Sequence, residues 1–560
     1  VSDRTVRFLL FLAGLAIYLP FLGSVHLFDW DEINFAECAR EMLVTGDWLR
    51  VHIDFAPFYE KPPLFIWLQA LSMLVFGVNE FAARLPNALV ASLTFVVVYS
   101  VGQRVASRRF GLLWAGLYGG SLLPTFYGHT GIIDPLFNLF IFLSVLAALR
   151  AGRQGPLSKD TILSGLWAGL AVLTKGPVGL GLVLLTAALA FALRHRSIRL
   201  PWASAGIIVV VAAILPGIWV GAEVLANGPQ FVQENLAYQW RLLTMGEAGH
   251  EQPWYYHAVV LMIGCFPASA LLWGGLGRRA EETDGQAELR IWMTVLAAVV
   301  LVVFSIVKTK IVHYSSMTYL PLTFLAALAC ERLAQRQACI RWPVWVGLGL
   351  VCTMLTIAAA SVPLIGLSAD SLLATPAFKD VFLRAALQQP VHWSLWDIVP
   401  AMFLPTGLVI AFVLRKNILA SVTSLAAGVL FFSVTFLPVV APKIERIQQG
   451  AMIDYYRSLS GKDVYVKPLQ MKSYAHLFYT NKPAHLSYTS HGIDRDAWEP
   501  WLIEGAVDRP VRLLARVNDA ERWRRDARLR VIHEAGGYVV FARRDQRSAL
   551  DDAALARPKP

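Results

Sequence analysis

Apolar runs of about 20 residues recur from Phe8 to Val439, and this recurrence constrains the fold more than any other feature. Each run is long enough to cross a hydrocarbon core of ~30 Å. Only 16% of residues are charged and 56% are hydrophobic, whereas a soluble chain carries roughly 25% charged residues. The first run follows Arg4 and Arg7, is too long for a typical signal-peptide core and has no convincing small-x-small cleavage site. It therefore reads as a retained anchor. Spans are expected near residues 8–25, 81–101, 110–127, 132–149, 162–174, 177–193, 202–222, 254–275, 291–307, 315–331, 342–364, 397–414 and 418–439.

The formal charge of +11 bears on topology rather than on nucleic acid, and no nucleic-acid partner is expected. Alternate connections are basic: Arg104/Arg108/Arg109, Arg150/Arg153/Lys159, Arg194/Arg196/Arg199, Arg278/Arg279, Arg332/Arg336/Arg341 and Arg415/Lys416. With Arg4 and Arg7 they fall on one side, the cytoplasm by the positive-inside rule. About thirteen spans then leave the C-terminus outside. Leu64–Val78 is apolar but short. Counting it as a span breaks the charge alternation, so 32–43 and 63–76 are expected as interfacial or re-entrant helices.

After about Val440 hydrophobicity drops. Strands are expected at 464–466, 511–514, 528–532 and 538–542, and helices at 494–504 and 519–526. Gly536-Gly537 between two β-rich runs reads as a hairpin turn. The expected architecture is a polytopic α-helical membrane domain (1–440) followed by a small soluble α/β domain (441–560) with a disordered end. The 5 cysteines show no CxxC and no metal-ligand spacing, which argues against a disulfide framework or a zinc ribbon.

The outer connections carry the chemistry. They hold Asp29-Trp30-Asp31-Glu32, Glu37, Arg40, Glu41 and Tyr59-Glu60-Lys61; His129 to Asp134; Lys175-Gly176; Arg241 and His250; and Lys308 to Tyr314. The charge argument, made without these residues, brings them to one face. Ionisable groups at membrane depth are costly and are therefore paired, hydrated or functional. Each also has a plain reading. Asp31 and Glu32 suit the first turn of a helix, Asp134 before Pro135 is an ordinary helix start, and Lys175 and Lys308 read as snorkelling lysines at span ends.

Asp31-Glu32-Ile33-Asn34-Phe35-Ala36-Glu37-Cys38-Ala39-Arg40-Glu41-Met42, with Gly46-Asp47-Trp48 and Tyr59-Glu60-Lys61-Pro62-Pro63, resembles the bacterial aminoarabinose transferases, ArnT-type enzymes. These belong to the protein O-mannosyltransferase-like GT-C glycosyltransferases. Leu173 to Gly176, Pro253 to Tyr256 and Lys308 to Tyr314 extend the resemblance over nearly the whole membrane part. Asn34 departs from it, standing where arginine or another polar residue is expected.

The resemblance implies transfer of 4-amino-4-deoxy-L-arabinose from undecaprenyl phosphate to lipid A phosphates at the periplasmic face of the inner membrane. By motif, Asp31 is implied as the principal catalytic carboxylate and Asp134 as the second. Substrate contacts are expected from Glu32, Tyr59, Glu60, Lys61, Lys175, Arg241, Lys308, Lys310, His313 and Tyr314. An oxocarbenium-like state is stabilised by carboxylates, and a leaving lipid phosphate needs cations. Lys61, Arg241, Lys308 and Lys310 are the candidates for that phosphate, with an apolar groove from the outer leaflet ending at Lys61 and Arg241. No cofactor is required, although a divalent metal near Glu60 stays open. A monomer in contact with membrane lipid is expected. The rival readings are a GT-C transferase moving another polyprenyl-linked sugar to a protein or polysaccharide, a transporter, and a scaffold. A transporter would show an inverted repeat around a midplane site, and the sequence shows none.

Overall fold

The computed structural model describes residues 2–29, 31–152, 154–194, 202–245, 251–279, 282–375 and 379–546. Trp30, Arg153, Arg196, Arg199, His250 and the expected disordered end lie outside the described residues. Helix α1 (Asp3–Tyr18) is capped by Ser2, whose hydroxyl accepts from the Thr5 N–H. It stops short of the expected residue 25, because Pro20 has no N–H to continue the ladder and Phe21 turns into the left-handed region. The first outer connection then folds as α2 (Asp31–Thr45), a two-residue hairpin of β1 (His52–Ile53) and β2 (Ala56–Pro57), and α3 (Leu64–Phe76). Helices thus cover both stretches expected as helical, 32–43 and 63–76.

The bundle continues with α4 (Glu80–Val105), α5 (Arg108–Gly119), α6 (Leu122–Tyr127), α7 (Asp134–Ala151), α8 (Lys159–Lys175), α9 (Val178–Arg194), α10 (Trp202–Asn227) and α11 (Gln230–Thr244). It goes on through α12 (Tyr256–Gly264), α13 (Ala268–Leu271), α14 (Trp273–Leu276), α15 (Asp284–Ile306), a 3-10 segment (Val312–Thr318) and α16 (Tyr319–Gln335). The last helices of this part are α17 (Trp342–Leu367), α18 (Ala369–Leu373), α19 (Val381–Leu387), α20 (Val399–Val413) and α21 (Ile418–Val439). Among the described residues 7 helices are long and apolar enough to cross a membrane. This is a multi-span membrane protein.

Three expected spans are broken. The 110–127 run divides into α5 and α6 at Gly119-Gly120, where a Cβ would meet the Phe95 ring at 2.5 Å or Ala426 at 2.4 Å. The 254–275 run divides into α12, α13 and α14, with Pro267 removing a helix donor. The 315–331 run begins as the 3-10 segment, which turns His313 and Tyr314 off the helix axis. The main core cluster threads these helices, with Trp114, Phe142, Trp292 and Phe324 fully or almost fully buried in it.

After α21 come α22 (Ala441–Glu445), a short π-helical turn (Arg446–Gly450) and α23 (Ala451–Ser458). The remainder is β3 (Tyr465–Pro468), α24 (Ala475–Tyr479), α25 (Arg495–Glu504), β4 (Val511–Arg516), α26 (Val517–Arg524), β5 (Leu529–Ala535) and β6 (Tyr538–Arg543). The four strands form one sheet in the order β3-β4-β6-β5, with β3 parallel to β4 and the other pairs antiparallel. Gly536 and Gly537, at φ 58° and 83°, make the expected turn. All six residues of β6 are buried, because both faces of the sheet are covered. One face packs on Trp498, Leu502 and Trp523. The other, through Leu514, Tyr538 and Val540, joins Met452 and Tyr456 to Ile33, Met42, Ile66 and Met73 of α2 and α3. The expected separate soluble unit therefore shares a hydrophobic core with the first outer connection.

Candidate functional site

Helix ends build the site. Asp31 opens α2, Asp134 opens α7 with Pro135 in its first turn, Lys175 closes α8, and the 3-10 segment delivers His313. Carboxylates suit helix N-termini and a lysine suits a C-terminus, so the dipoles favour this charge pattern before any ligand arrives. Gly176, at φ 96°, lets the chain turn away directly after Lys175. The plain helix-end readings and the functional readings thus describe the same residues.

His313 Nε2 stands 3.1 Å from Asp31 Oδ2 and 3.9 Å from Asp134 Oδ2. Lys175 Nζ donates to Asp134 Oδ1 at 2.5 Å and lies 5.0 Å from the Tyr314 ring centroid. Asp134 is buried and its Oδ2 has no hydrogen-bond partner, while Asp31 keeps 33% of its side chain exposed. Burial works against charge on Asp31. The hydrogen bond and charge of His313, joined by Lys61 and Lys175, outweigh it and hold the carboxyl well below the usual carboxylate range. Asp31 is therefore an anion at neutral pH and the exposed tip of the network. The Tyr127 ring meets His313 edge-on, with centroids 6.4 Å apart.

Lys61 comes to this site from the first outer connection. Its ammonium donates to Tyr238 OH at 3.2 Å and sits 4.7 Å from that ring's centroid. Arg241, one turn along α11, is 5.9 Å from the same ring. Sequence reasoning missed Tyr238, although its position three residues before Arg241 places both on one face of α11. Tyr59 and Glu60 line a polar cavity of 460 Å³ with Glu234, Tyr238 and Arg241. Its far wall is the C-terminal unit, through Lys467, Arg495, Trp498 and their neighbours. Arg241 thus borders a polar space. Tyr59 OH also donates to Gln230 Oε1 at 3.2 Å, pinning the loop to α11.

Several expected contacts are redirected. Glu32, expected to contact substrate, is instead buried within the protein: it takes Arg84 in a bidentate pair at 2.8 and 2.9 Å and accepts the Gly131 and Phe28 N–H groups. All its acceptor capacity is used inside the protein. Lys310 is buried and donates to the Val307 carbonyl at 2.7 Å. Lys308 is exposed past the end of α15 and makes no ion pair among the described residues. No group of three or more His, Cys, Asp or Glu stands together as a metal site among the described residues, and Glu60 gains no co-ligands. Glu37, Arg40 and Glu41 also serve structure. Arg40 pairs with Glu37 and donates to Asn481 Oδ1 and the Lys482 carbonyl of the C-terminal unit.

Residues 60–219 match the family model for dolichyl-phosphate-mannose-protein mannosyltransferase. The chain is 28% identical over 342 residues to the undecaprenyl phosphate-alpha-4-amino-4-deoxy-L-arabinose arabinosyl transferase of Pectobacterium carotovorum, covering 59% of this chain and 60% of that one. It is 30% identical over 330 residues to the enzyme of the same name from Pseudomonas aeruginosa, covering 58% and 59%. The chain thus spans about 60% of the length of these curated relatives. Its fold superposes on the crystal structure of ArnT from Cupriavidus metallidurans bound to undecaprenyl phosphate with a TM-score of 0.74, at 22% identity and 100% coverage of both chains. The chain has the polytopic GT-C fold of ArnT, matches the dolichyl-phosphate-mannose-protein mannosyltransferase model over residues 60–219, and is similar in sequence to the aminoarabinose transferases.

Proposed function

We propose that the protein transfers 4-amino-4-deoxy-L-arabinose from undecaprenyl phosphate to a phosphate of lipid A, at the periplasmic face of the bacterial inner membrane. The observation that carries this reading is the convergence of Asp31, His313, Asp134 and Lys175 at helix ends, with Lys61 beside them and a polar cavity of 460 Å³ bordering Lys61's partner Tyr238. The similar proteins named above support the choice of sugar and carrier. Residues 1–440 would hold the transfer site and 441–560 the periplasmic wall of the cavity.

The C1–O bond to the carrier phosphate breaks and its electron pair leaves with that phosphate. An anionic oxygen of the acceptor phosphate forms the new bond, so no proton must be removed from the acceptor. Asp31, held ionised and part-exposed, stabilises positive charge growing on the sugar ring. His313 and the Asp134–Lys175 pair hold that carboxylate in place. Lys61 neutralises the departing phosphate, and the Tyr238 hydroxyl and ring fix its ammonium. Glu60, on the cavity wall next to Lys61, is the acid available to the sugar ammonium.

The test uses the purified full chain in detergent with undecaprenyl phosphate–aminoarabinose and lipid A, read by mass spectrometry. One added aminoarabinose per phosphate is expected. Carrier turnover without lipid A modification, or product only with a protein or polysaccharide acceptor, would replace this acceptor.

A further inference from the structure

The hairpin between β1 and β2 has a costly turn. Asp54 and Phe55 both lie in the left-handed region, at φ 56° and 57°, and neither is glycine. Backbone strain of this sort persists only where surrounding contacts over-determine it, and it concentrates at functional sites. The contacts here come from two directions. From α2, Glu41 Oε2 accepts the Phe55 N–H at 2.8 Å. From the C-terminal unit, Lys482 Nζ donates to Asp54 Oδ1 at 2.5 Å and Ser487 Oγ donates to the Asp54 carbonyl at 2.6 Å. The Lys482 and Asp54 side chains are only 5% and 17% exposed.

The hairpin leads straight into the site. Phe58 is buried and donates its N–H to the Val51 carbonyl at 2.8 Å, closing the hairpin base. Tyr59, Glu60 and Lys61 follow at once. On their other side Asn235 of α11 donates to the Tyr59 carbonyl at 2.8 Å. The segment carrying Lys61 is thus held between α11 and a turn gripped by the C-terminal unit.

We propose that Lys482 and Ser487 are positioning residues for transfer: they latch the strained Asp54–Phe55 turn and thereby set the placement of Lys61 at the donor phosphate. This rests on the reading of Lys61 as the donor-phosphate cation. The C-terminal unit then acts on the reaction through a hairpin tip rather than through a group of its own at the reacting atoms.

The test compares Lys482→Gln, Ser487→Ala, Asp54→Asn and the Lys482→Gln/Asp54→Asn double variant of the full chain in detergent. Hydrogen exchange of the 52–61 segment and affinity for undecaprenyl phosphate are measured alongside the thermal midpoint. Lys482→Gln should speed exchange in 52–61 and weaken undecaprenyl phosphate by about tenfold, the scale of one lost charge-assisted bond. Asp54→Asn should do the same, and the double variant should be no worse than either single. Lys482→Arg should recover most of the affinity. Unchanged exchange in 52–61, or a lowered midpoint with affinity intact, would overturn the latch. If the unaltered protein binds no undecaprenyl phosphate, the donor assignment fails by itself, and the latch is upheld or overturned by the exchange of 52–61 alone.

Discussion

Adjacent acids at the start of α2 have opposite fates, and a pair of isosteric substitutions separates them. Asp31 is part-exposed and faces the site, whereas Glu32 is buried against Arg84. Asp31→Asn removes charge stabilisation from the transition state and should lower kcat by about 10²–10³, with the thermal midpoint in detergent almost unchanged. Glu32→Gln leaves a buried guanidinium short of its counter-charge and should cost about 3 kcal/mol of stability. Its surviving folded fraction should turn over normally. Steady-state transfer assays and thermal unfolding on both variants check this. A stable, inactive Glu32→Gln protein would return Glu32 to the substrate. Lys61→Ala tests the leaving-group role in the same assay. Loss of a charge-assisted bond should raise the donor KM about tenfold or more, with a fall in kcat where leaving-group stabilisation is also lost.

At the scale of one element, α2 carries Asp31 of the proposed site at its start and a structural body behind it. Glu41 is pushed well above its ordinary range, by burial first and by the adjacent Glu37 second. A raised carboxyl pKa means that the folded protein holds a proton the unfolded chain releases. This contribution to stability is full below the ordinary glutamate range and is lost as pH rises toward the folded value. The thermal midpoint should therefore decline as pH rises above the ordinary glutamate range. Glu41→Gln keeps an acceptor for the Phe55 N–H, cannot ionise, and should flatten that decline while raising the midpoint at the alkaline end. A parallel pH profile for variant and parent would show that Glu41 does not titrate in this window. The same helix explains how much of the site the sequence displayed. The Asp-Glu…Glu…Arg-Glu pattern was visible as a cluster, but its division of labour depends on which face of α2 meets α4, the hairpin or Lys482.

The whole molecule sets Asp134 and Lys175 at one end of the α7–α8 pair and the Arg150–Asp160 ion pair at the other. By charge the first end is expected outside. The native thiol of Cys339 is exposed on the connection between α16 and α17, while the other four cysteines are buried, so Cys339 serves as an internal reporter. In cells with a permeabilised outer membrane, an impermeant maleimide should label Ser490→Cys on the C-terminal unit and spare Cys339. Lysis of the inner membrane should then expose Cys339. Labelling of Cys339 alone in intact spheroplasts would invert the orientation.

Sequence alone determined the membrane class, the two helices of the first outer connection and the four late strands, because hydrophobic period and turn chemistry are local properties. It also identified Asp31, Asp134, Lys175 and His313, because polar groups at span ends stand out against apolar runs and charge alternation puts those ends on one face. Only the tertiary structure decided which of them meet. His313 reaches Asp31 because a 3-10 turn aims it off the helix axis. Glu32 is buried against Arg84 and Lys310 against the Val307 carbonyl, partners that only the fold brings within reach. The C-terminal unit shares a core with α2 and α3 for a similar reason: both faces of its sheet are apolar, and one packs with α23 into the cluster that includes α2 and α3. Partnership between residues hundreds of positions apart is settled by packing, and a single sequence carries no local signal of it.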